Sequence, residues 1–405
     1  MTTIPLGDMS VEDFLANYWQ KKPVLIRQAF PNFECPLEAE ELAGLACTEG
    51  VLSRLILEQG GEYPWQLKTG PFKGEDFEQL SDHHWTVLVQ EVDRHVPAIA
   101  DLYDLFNFLP GWRKDDVMIS FASKDAGVGA HIDSYDVFLL QGTGKRRWEI
   151  GEAIEGAGPI DGGIRGAGSS QHEPDDMYVK GIDVRILANF EATESFVLEP
   201  GDMLYLPPGV PHNGVAIEPC LTISFGFLAP SRREMVTDFA CWHEENYGAT
   251  RYSDPDLLEG HPPGLITDND LNRVLRMLQH TPTGRDALAD WFGTFITRPQ
   301  RGPANTEEFE GSLQDFRDDY QECEIWRRHE GIRLAAWTEG EGQDLLFVDG
   351  EKVEHKLDRE ELLKLTAQRE VSYLEAHGSN LLMELLYEFT RKGWGYLLPT
   401  EDEDE

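Results

Sequence analysis

The sequence predicts an α+β chain in which a strand-rich antiparallel barrel or sandwich lies between helical segments, and three observations carry that prediction. The hydrophobic period changes from helical to alternating at Val117, short β-branched runs beyond it are broken by Gly and Pro, and the helical period returns after Ala229-Pro230. At 405 residues the chain is too long for one ordinary core, so roughly two to three domains are expected.

Residues 8–110 are expected to be a mostly helical lead-in. Ser10 can cap a helix running through Trp19, and the stretches 37–48 and 84–106 carry apolar residues at helical spacing. One strand-like stretch, VLIRQAF, interrupts them at 24–30. The barrel core follows at about 112–230, where VMISFAS, AHIDSYDVFLLQGTGKRRWEIG, SFVLEPGDMLYLPPGVPH and CLTISFGFLAP form short strands joined by glycine turns. Between them, the polar, glycine-rich segment 151–180 is expected to be a long loop at the barrel mouth.

In 231–300 the helical spacing of Leu271, Val274, Leu275 and Leu278, then Leu288, Trp291, Phe292, Phe295 and Ile296, suits a small helical domain or a dimer interface. RPQRGPANT at 298–306 reads as a linker. In 307–400, strands around an Asp349-Gly350 turn combine with helices started by Asp358 and Ser379 and a final strand-like WGYLLP. That is a winged-helix-like arrangement, closed by a solvated acidic tail at 401–405.

Acidic residues outnumber basic ones 74 to 35, for a formal charge of -39 and a pI near 4.5. Such a field repels nucleic-acid phosphates and attracts basic partners, although acidity also serves solubility alone. Five scattered cysteines with no Cys-x-x-Cys pair argue for reduced thiols rather than a zinc or disulfide framework. No basic-then-apolar leader opens the sequence, and no run approaches the roughly 18 apolar residues of a membrane span, so a soluble cytoplasmic protein is expected.

The chemistry concentrates in two motifs. His131-Ile132-Asp133, placed in a strand, would direct both side chains to one face. Alone it means little: 12 His and 74 acidic residues in 405 give roughly two His-x-acid triplets by chance. The second motif, from Glu199 to His212, makes the difference, because a Pro-Gly turn feeds a short apolar strand and a Pro-Gly-x-Pro corner presents His212 at its end. Two His and one carboxylate form the facial triad of non-haem iron, with three adjacent positions left for substrate and O2. His83, His84, His95, His243, His280, His329 and His355 have no partnered ligand in sequence and are expected to be ordinary surface or core residues. The GTGKRRW stretch offers Lys145, Arg146 or Arg147 to grip a carboxylate co-substrate, and the residues alone leave that choice open.

With FLANYWQKKPVLIRQAF, MISFAS, GVGAHIDSYDVFLLQGTGKRRW, LEPGDMLYLPPGVPH and RYSDPDL, the chain resembles JmjC-type 2-oxoglutarate oxygenases, and most closely the bacterial ribosomal oxygenases that hydroxylate an arginine of a large-subunit ribosomal protein. The resemblance covers the chain through about residue 260. It implies a double-stranded β-helix of the cupin/JmjC kind over 1–230, a helical dimerisation domain, a C-terminal winged helix and a homodimer. It implies His131, Asp133 and His212 as Fe(II) ligands, and Arg146 with Ser120 as contacts of 2-oxoglutarate, with succinate and CO2 as co-products. Tyr135 and Asp136 become candidates for the substrate side of the mouth.

Competing readings are a JmjC-type hydroxylase of histidine or of a non-ribosomal protein, and a non-catalytic cupin-like binding protein that touches nucleic acid through its winged helix. The second is disfavoured because the helix at 379–392 has cations only at Arg391 and Lys392.

Overall fold

The glycine-punctuated runs between Lys114 and Phe227 do become strands, and their closure into two facing sheets builds the site. In a computed structural model that describes residues 4–58, 65–154, 177–248, 251–255, 266–279, 284–299, 308–339 and 342–399, the chain divides into two compact units, 1–229 and 230–405. The far N-terminus, most of the loop expected at 151–180, most of the linker and the acidic tail lie outside the described residues.

The first unit begins with α1 (Val11–Asn17), β1 (Val24–Ile26), α2 (Ala39–Ala46), β2 (Ser53–Glu58), β3 (Trp65–Thr69), α3 (Gly74–Glu78), β4 (Trp85–Val89) and α4 (Pro97–Asp104). Ser10 caps α1 as expected, its hydroxyl accepting from the Asp13 N–H at 3.1 Å. The expectation of a mostly helical lead-in is corrected, since β2, β3 and β4 extend the main sheet and 84–106 opens with a strand. The reason is visible in the packing. Leu55, Val87 and Val89 face one core while Ile56 and Leu88 face another, so β2 and β4 are buried on both sides and lose the alternation that marks a half-exposed strand.

The barrel strands are β5 (Lys114–Ala122), β6 (Asp136–Thr143), β7 (Arg146–Ile150), β8 (Glu194–Leu198), β9 (Met203–Leu206), β10 (His212–Ala216) and β11 (Cys220–Phe227). An eight-stranded antiparallel sheet runs β1-β9-β6-β11-β5-β4-β2-β3, and a three-stranded sheet runs β10-β7-β8. The larger sheet is covered outside by Phe14, Leu42, Ile99 and Phe106, against Phe138, Ile223 and Phe225 of its own strands. Val137, Leu139 and Leu204 point the other way and meet Trp148 and Ile150 of the smaller sheet, which places the barrel interior between the two.

The second unit carries α5 (Arg232–Tyr247), α6 (Asp268–Gln279), α7 (Arg285–Thr297), α8 (Leu313–Cys323), β12 (Ile325–Arg328), β13 (Leu334–Trp337), β14 (Leu345–Val348), β15 (Glu351–Val353), α9 (Arg359–Ala367), β16 (Glu370–Ser372), α10 (Tyr373–His377), α11 (Asn380–Arg391) and β17 (Gly395–Leu398). Its two small sheets, β16-β12-β17 and β13-β14-β15, share a core with α8, α9 and α11 built on Phe316, Trp326, Leu346, Leu362 and Phe389. Asp358 caps α9 and Ser379 caps α11 through side-chain oxygens. Among the described residues, no helix is long and apolar enough to cross a membrane.

Candidate metal centre

His131 and His212 meet across a single antiparallel bridge in which they exchange both backbone hydrogen bonds, at 3.0 and 2.9 Å. The His-x-Asp segment is therefore not part of a continuous strand, as the alternation argument supposed. Pairing is interrupted on one side, to resume at Gly127 with Val215, and stops on the other because His212 is the first residue of β10 and the chain before it turns away at Gly209. That glycine sits at φ +83°, a conformation that disfavours any residue with a Cβ, and its N–H donates to the Asp133 carbonyl at 2.9 Å. The Pro-Gly corner thus ties itself to the His-x-Asp segment by backbone bonds before any ligand is involved.

The side chains converge despite the irregular backbone. One donor atom from each of His131, Asp133 and His212 lies within 4.8 Å of the others, and this is the one such group of three or more His, Cys, Asp or Glu among the described residues. Asp133 Oδ2 stands 3.6 Å from His212 Nε2 and 3.9 Å from His131 Nε2. Those gaps are too long for hydrogen bonds, yet shorter than twice a metal–ligand distance of about 2.0–2.2 Å, so one ion can reach both partners.

Each imidazole is oriented for that purpose. His131 Nδ1 donates to the Gly129 carbonyl and His212 Nδ1 to the Val210 carbonyl, both at 2.9 Å, which leaves the lone pair of each neutral ring on Nε2. Burial, then the neighbouring His131, and more weakly Arg146, hold His212 well below the usual imidazole range against the pull of the Val210 carbonyl. A neutral ring is the form that binds a metal. Burial pushes the Asp133 carboxyl up, opposed by His131 and by a hydrogen bond from Tyr135.

Behind the histidines lies a cation seat. Arg146 is 2% exposed on β7, paired in register with Ala216 of β10. Its Nη1 donates to Ser120 Oγ and Thr222 Oγ1, each at 3.3 Å, and its Nη2 to the Gly214 carbonyl at 3.2 Å. The guanidinium lies 4.8 Å from the centre of the Trp148 ring. Arg146 Nε and Trp148 Nε1 are both buried without a hydrogen-bond partner among the described residues. Burial lowers the Arg146 pKa, but a guanidinium stays charged, so the seat fits the distal carboxylate of a diacid.

Ser120 thus lies beside Arg146, and two further residues of the seat were not anticipated from the sequence. Thr222 is the strand partner of Ser120 in β11, and Gly214 is the only kind of residue that fits beside Arg146, because a Cβ there would meet Arg146 Nε and Trp148 at 2.7 Å. The Thr222-Ser224 alternation within CLTISFGF was the available signal for the first.

Tyr135, half-buried, hydrogen-bonds Asp133 and so stands beside the metal ligands. Asp136 does not reach the mouth, and that expectation is corrected. It is wholly buried on the helix-covered side of β6 with Phe138, where it accepts from Tyr205 Oη at 2.6 Å, Arg113 Nη2 at 2.9 Å and Gln20 Nε2 at 3.0 Å. Neighbours on a strand point to opposite faces, so Asp136 and Val137 could not both face the interior.

A model of the JmjC domain matches residues 101–235. The chain is 35% identical over 351 residues to the ribosomal protein uL16 3-hydroxylase of Escherichia coli, covering 84% of this chain and 85% of that protein. It is likewise 35% identical over 330 residues to a probable ribosomal oxygenase of Haemophilus influenzae, covering 80% and 76%. Among solved structures, that of YcfD, a ribosomal oxygenase from Escherichia coli, in complex with cobalt and 2-oxoglutarate is similar with a TM-score of 0.79 at 31% identity, covering 96% of this chain and 98% of that one.

Proposed function

The chain belongs to the JmjC-domain ribosomal oxygenases and is an iron(II)- and 2-oxoglutarate-dependent dioxygenase; on that premise we propose that it hydroxylates an arginine side chain of a basic large-subunit ribosomal protein in the cytoplasm. The single observation that carries the reading is the pairing of a two-His, one-carboxylate cluster with a buried arginine that has no carboxylate partner among the described residues. A bare metal site would not need that second half.

His131, Asp133 and His212 would hold the iron, since the Nδ1–carbonyl bonds leave both Nε2 lone pairs free for a metal. Arg146 grips the distal carboxylate of 2-oxoglutarate, with Ser120 and Thr222 steering the guanidinium, and the apolar wall of Val137, Leu139 and Trp148 excludes water around it. Iron bound there would supply the redox chemistry by which decarboxylation of 2-oxoglutarate and reduction of O2 are coupled to insertion of one oxygen atom into a substrate C–H bond, with succinate and CO2 as co-products. Tyr135 orients Asp133 and borders the substrate. The net charge of -39 favours a cationic substrate protein.

The second unit supplies a winged-helix-like module and a dimer contact. On α6, Leu271, Val274, Leu275 and Leu278 form an i, i+3, i+4, i+7 row, each at least 42% exposed, that a second copy would cover. Sedimentation of the full chain as a dimer tests this.

The activity test is incubation with Fe(II), 2-oxoglutarate and ribosomal proteins, followed by mass spectrometry. One added oxygen on an arginine, absent with His131→Ala, is expected. No His131-dependent product across the ribosomal proteins would overturn the proposal.

A further inference from the structure

The second unit contains a groove that the metal chemistry does not use. It opens between α9, β16, α10 and α11, encloses about 220 Å³, and has Leu365, Val371 and Leu382 on its floor. All three are buried to within 8% exposure. Small-molecule sites span roughly 300–1,000 Å³, so this volume suits one large side chain of a peptide better than a cofactor.

The rim carries four carboxylates, with Gln368 as its neutral polar member. Asp358, Glu360, Glu361 and Glu375 line it, and the one lysine, Lys364, is already bonded to Glu375. Capping bonds preset three of these carboxylates: Glu361 accepts from the Asp358 N–H, Asp358 from the Glu361 N–H, and Glu375 from the Ser372 N–H. Glu360 has no such role and projects from the first turn of α9. The helices α10 and α11 that close the groove also expose Leu374 (81%) and Leu381 (41%). An apolar slot with a fixed anionic rim is complementary to a polypeptide that carries cations around an apolar anchor.

We propose that this groove is a docking site for a basic segment of the protein substrate, in which one apolar side chain enters the slot and flanking Arg or Lys residues meet the rim. The identity of the occupant rests on the proposed action on a basic ribosomal protein. Docking on residues other than those of the metal cluster raises the effective concentration of the target residue.

The test uses the full chain and a fluorescein-labelled synthetic peptide in which arginine alternates with leucine. Fluorescence anisotropy compares wild type with Glu360→Lys on the rim and Glu34→Lys, an exposed loop residue of the first unit whose substitution changes net charge equally. Glu360→Lys is expected to weaken binding about tenfold and Glu34→Lys less than about twofold. Equal weakening by the two, or no saturable binding to wild type, overturns the proposal. Should Glu360→Lys fail to fold, Gln368→Lys replaces it, with Glu34→Gln as the control of equal charge change, since a lysine at the C-terminal end of α9 suits the helix dipole.

A second measurement separates this proposal from the proposed function. With a hydroxylated ribosomal protein in hand, Glu360→Lys should raise its KM about tenfold, leaving kcat and substrate-free 2-oxoglutarate turnover unchanged. An unchanged KM counts against the groove. If no ribosomal protein is hydroxylated, the proposed function fails, while the peptide measurement still decides whether the groove binds a basic segment.

Discussion

Among the described residues of the first unit, two arginines are almost wholly buried, and the structure satisfies them in opposite ways. Arg113, just before β5, donates to Asp136 at 2.9 Å and to the Leu228 carbonyl at 3.0 Å, and its guanidinium lies 5.3 Å from the Trp19 ring. Arg146 meets two hydroxyls, one carbonyl and the Trp148 ring, and no carboxylate among the described residues. Removing an ion from water costs several kcal/mol, so a folded chain ordinarily places a counter-charge beside it. Arg113 and Asp136 neutralise each other on the helix-covered side of the main sheet. Arg146 faces the barrel interior, where a dicarboxylate can supply the missing charge. The first arrangement is architecture; the second fits the proposed binding of a dicarboxylate.

The largest expected effect separates the two by stability. Arg113→Leu leaves Asp136 buried without its counter-ion and should cost about 3–5 kcal/mol in urea unfolding, whereas the double change with Asp136→Leu should recover most of that loss. A single variant as stable as wild type would show that the pair is dispensable. Next, Arg146→Met should raise the KM for 2-oxoglutarate about 10²-fold, close to 3 kcal/mol, with an unfolding midpoint equal to or above wild type. A large loss of stability there would make Arg146 a second Arg113.

Gly214→Ala sharpens the contrast at smaller amplitude. The added methyl group presses on Arg146 Nε and Trp148, and overpacking of this kind costs about 1–3 kcal/mol, so roughly a tenfold rise in the 2-oxoglutarate KM is expected.

The smallest effect concerns Asp202, which is paired with Arg27 at 2.5 Å. Burial alone would raise its pKa, but N–H bonds from Gln28 and Glu199, together with Arg27, hold it below the usual carboxylate range. A depressed carboxylate stabilises the fold fully above its unfolded value and loses that contribution as pH falls through its folded value. Asp202→Asn should therefore flatten the stability–pH curve below about pH 4 and leave its slope near neutrality unchanged. An identical acid limb in the two proteins would remove Asp202 from the account.

The arginine comparison also explains what the sequence left open. Nothing in GTGKRRW distinguishes three consecutive cations until β7 pairs with β10. Lys145 then falls at the turn and bonds Glu199, Arg147 points outward, and only Arg146 enters the interior. Family resemblance had already selected Arg146, without a physical reason. Asp136 was misplaced by a related ambiguity, since it lies one residue from Tyr135 in sequence but on the opposite side of the sheet from the metal. The strands β2 and β4 went unrecognised because burial on both faces removes the alternation by which a strand is identified.

The sequence by itself determined the barrel's place in the chain, the local spacing of His131 and Asp133, and the proline-glycine corner that ends in His212. These depend on side-chain period and turn chemistry within a dozen residues, and such information is local. Tertiary structure alone decided that His212 faces His131 through one backbone bridge, that Ser120, Gly214 and Thr222 converge on Arg146, and that Asp136 belongs to Arg113. Each of those contacts joins residues more than twenty positions apart, and which face of a strand becomes the interior is settled only when the two sheets close upon each other.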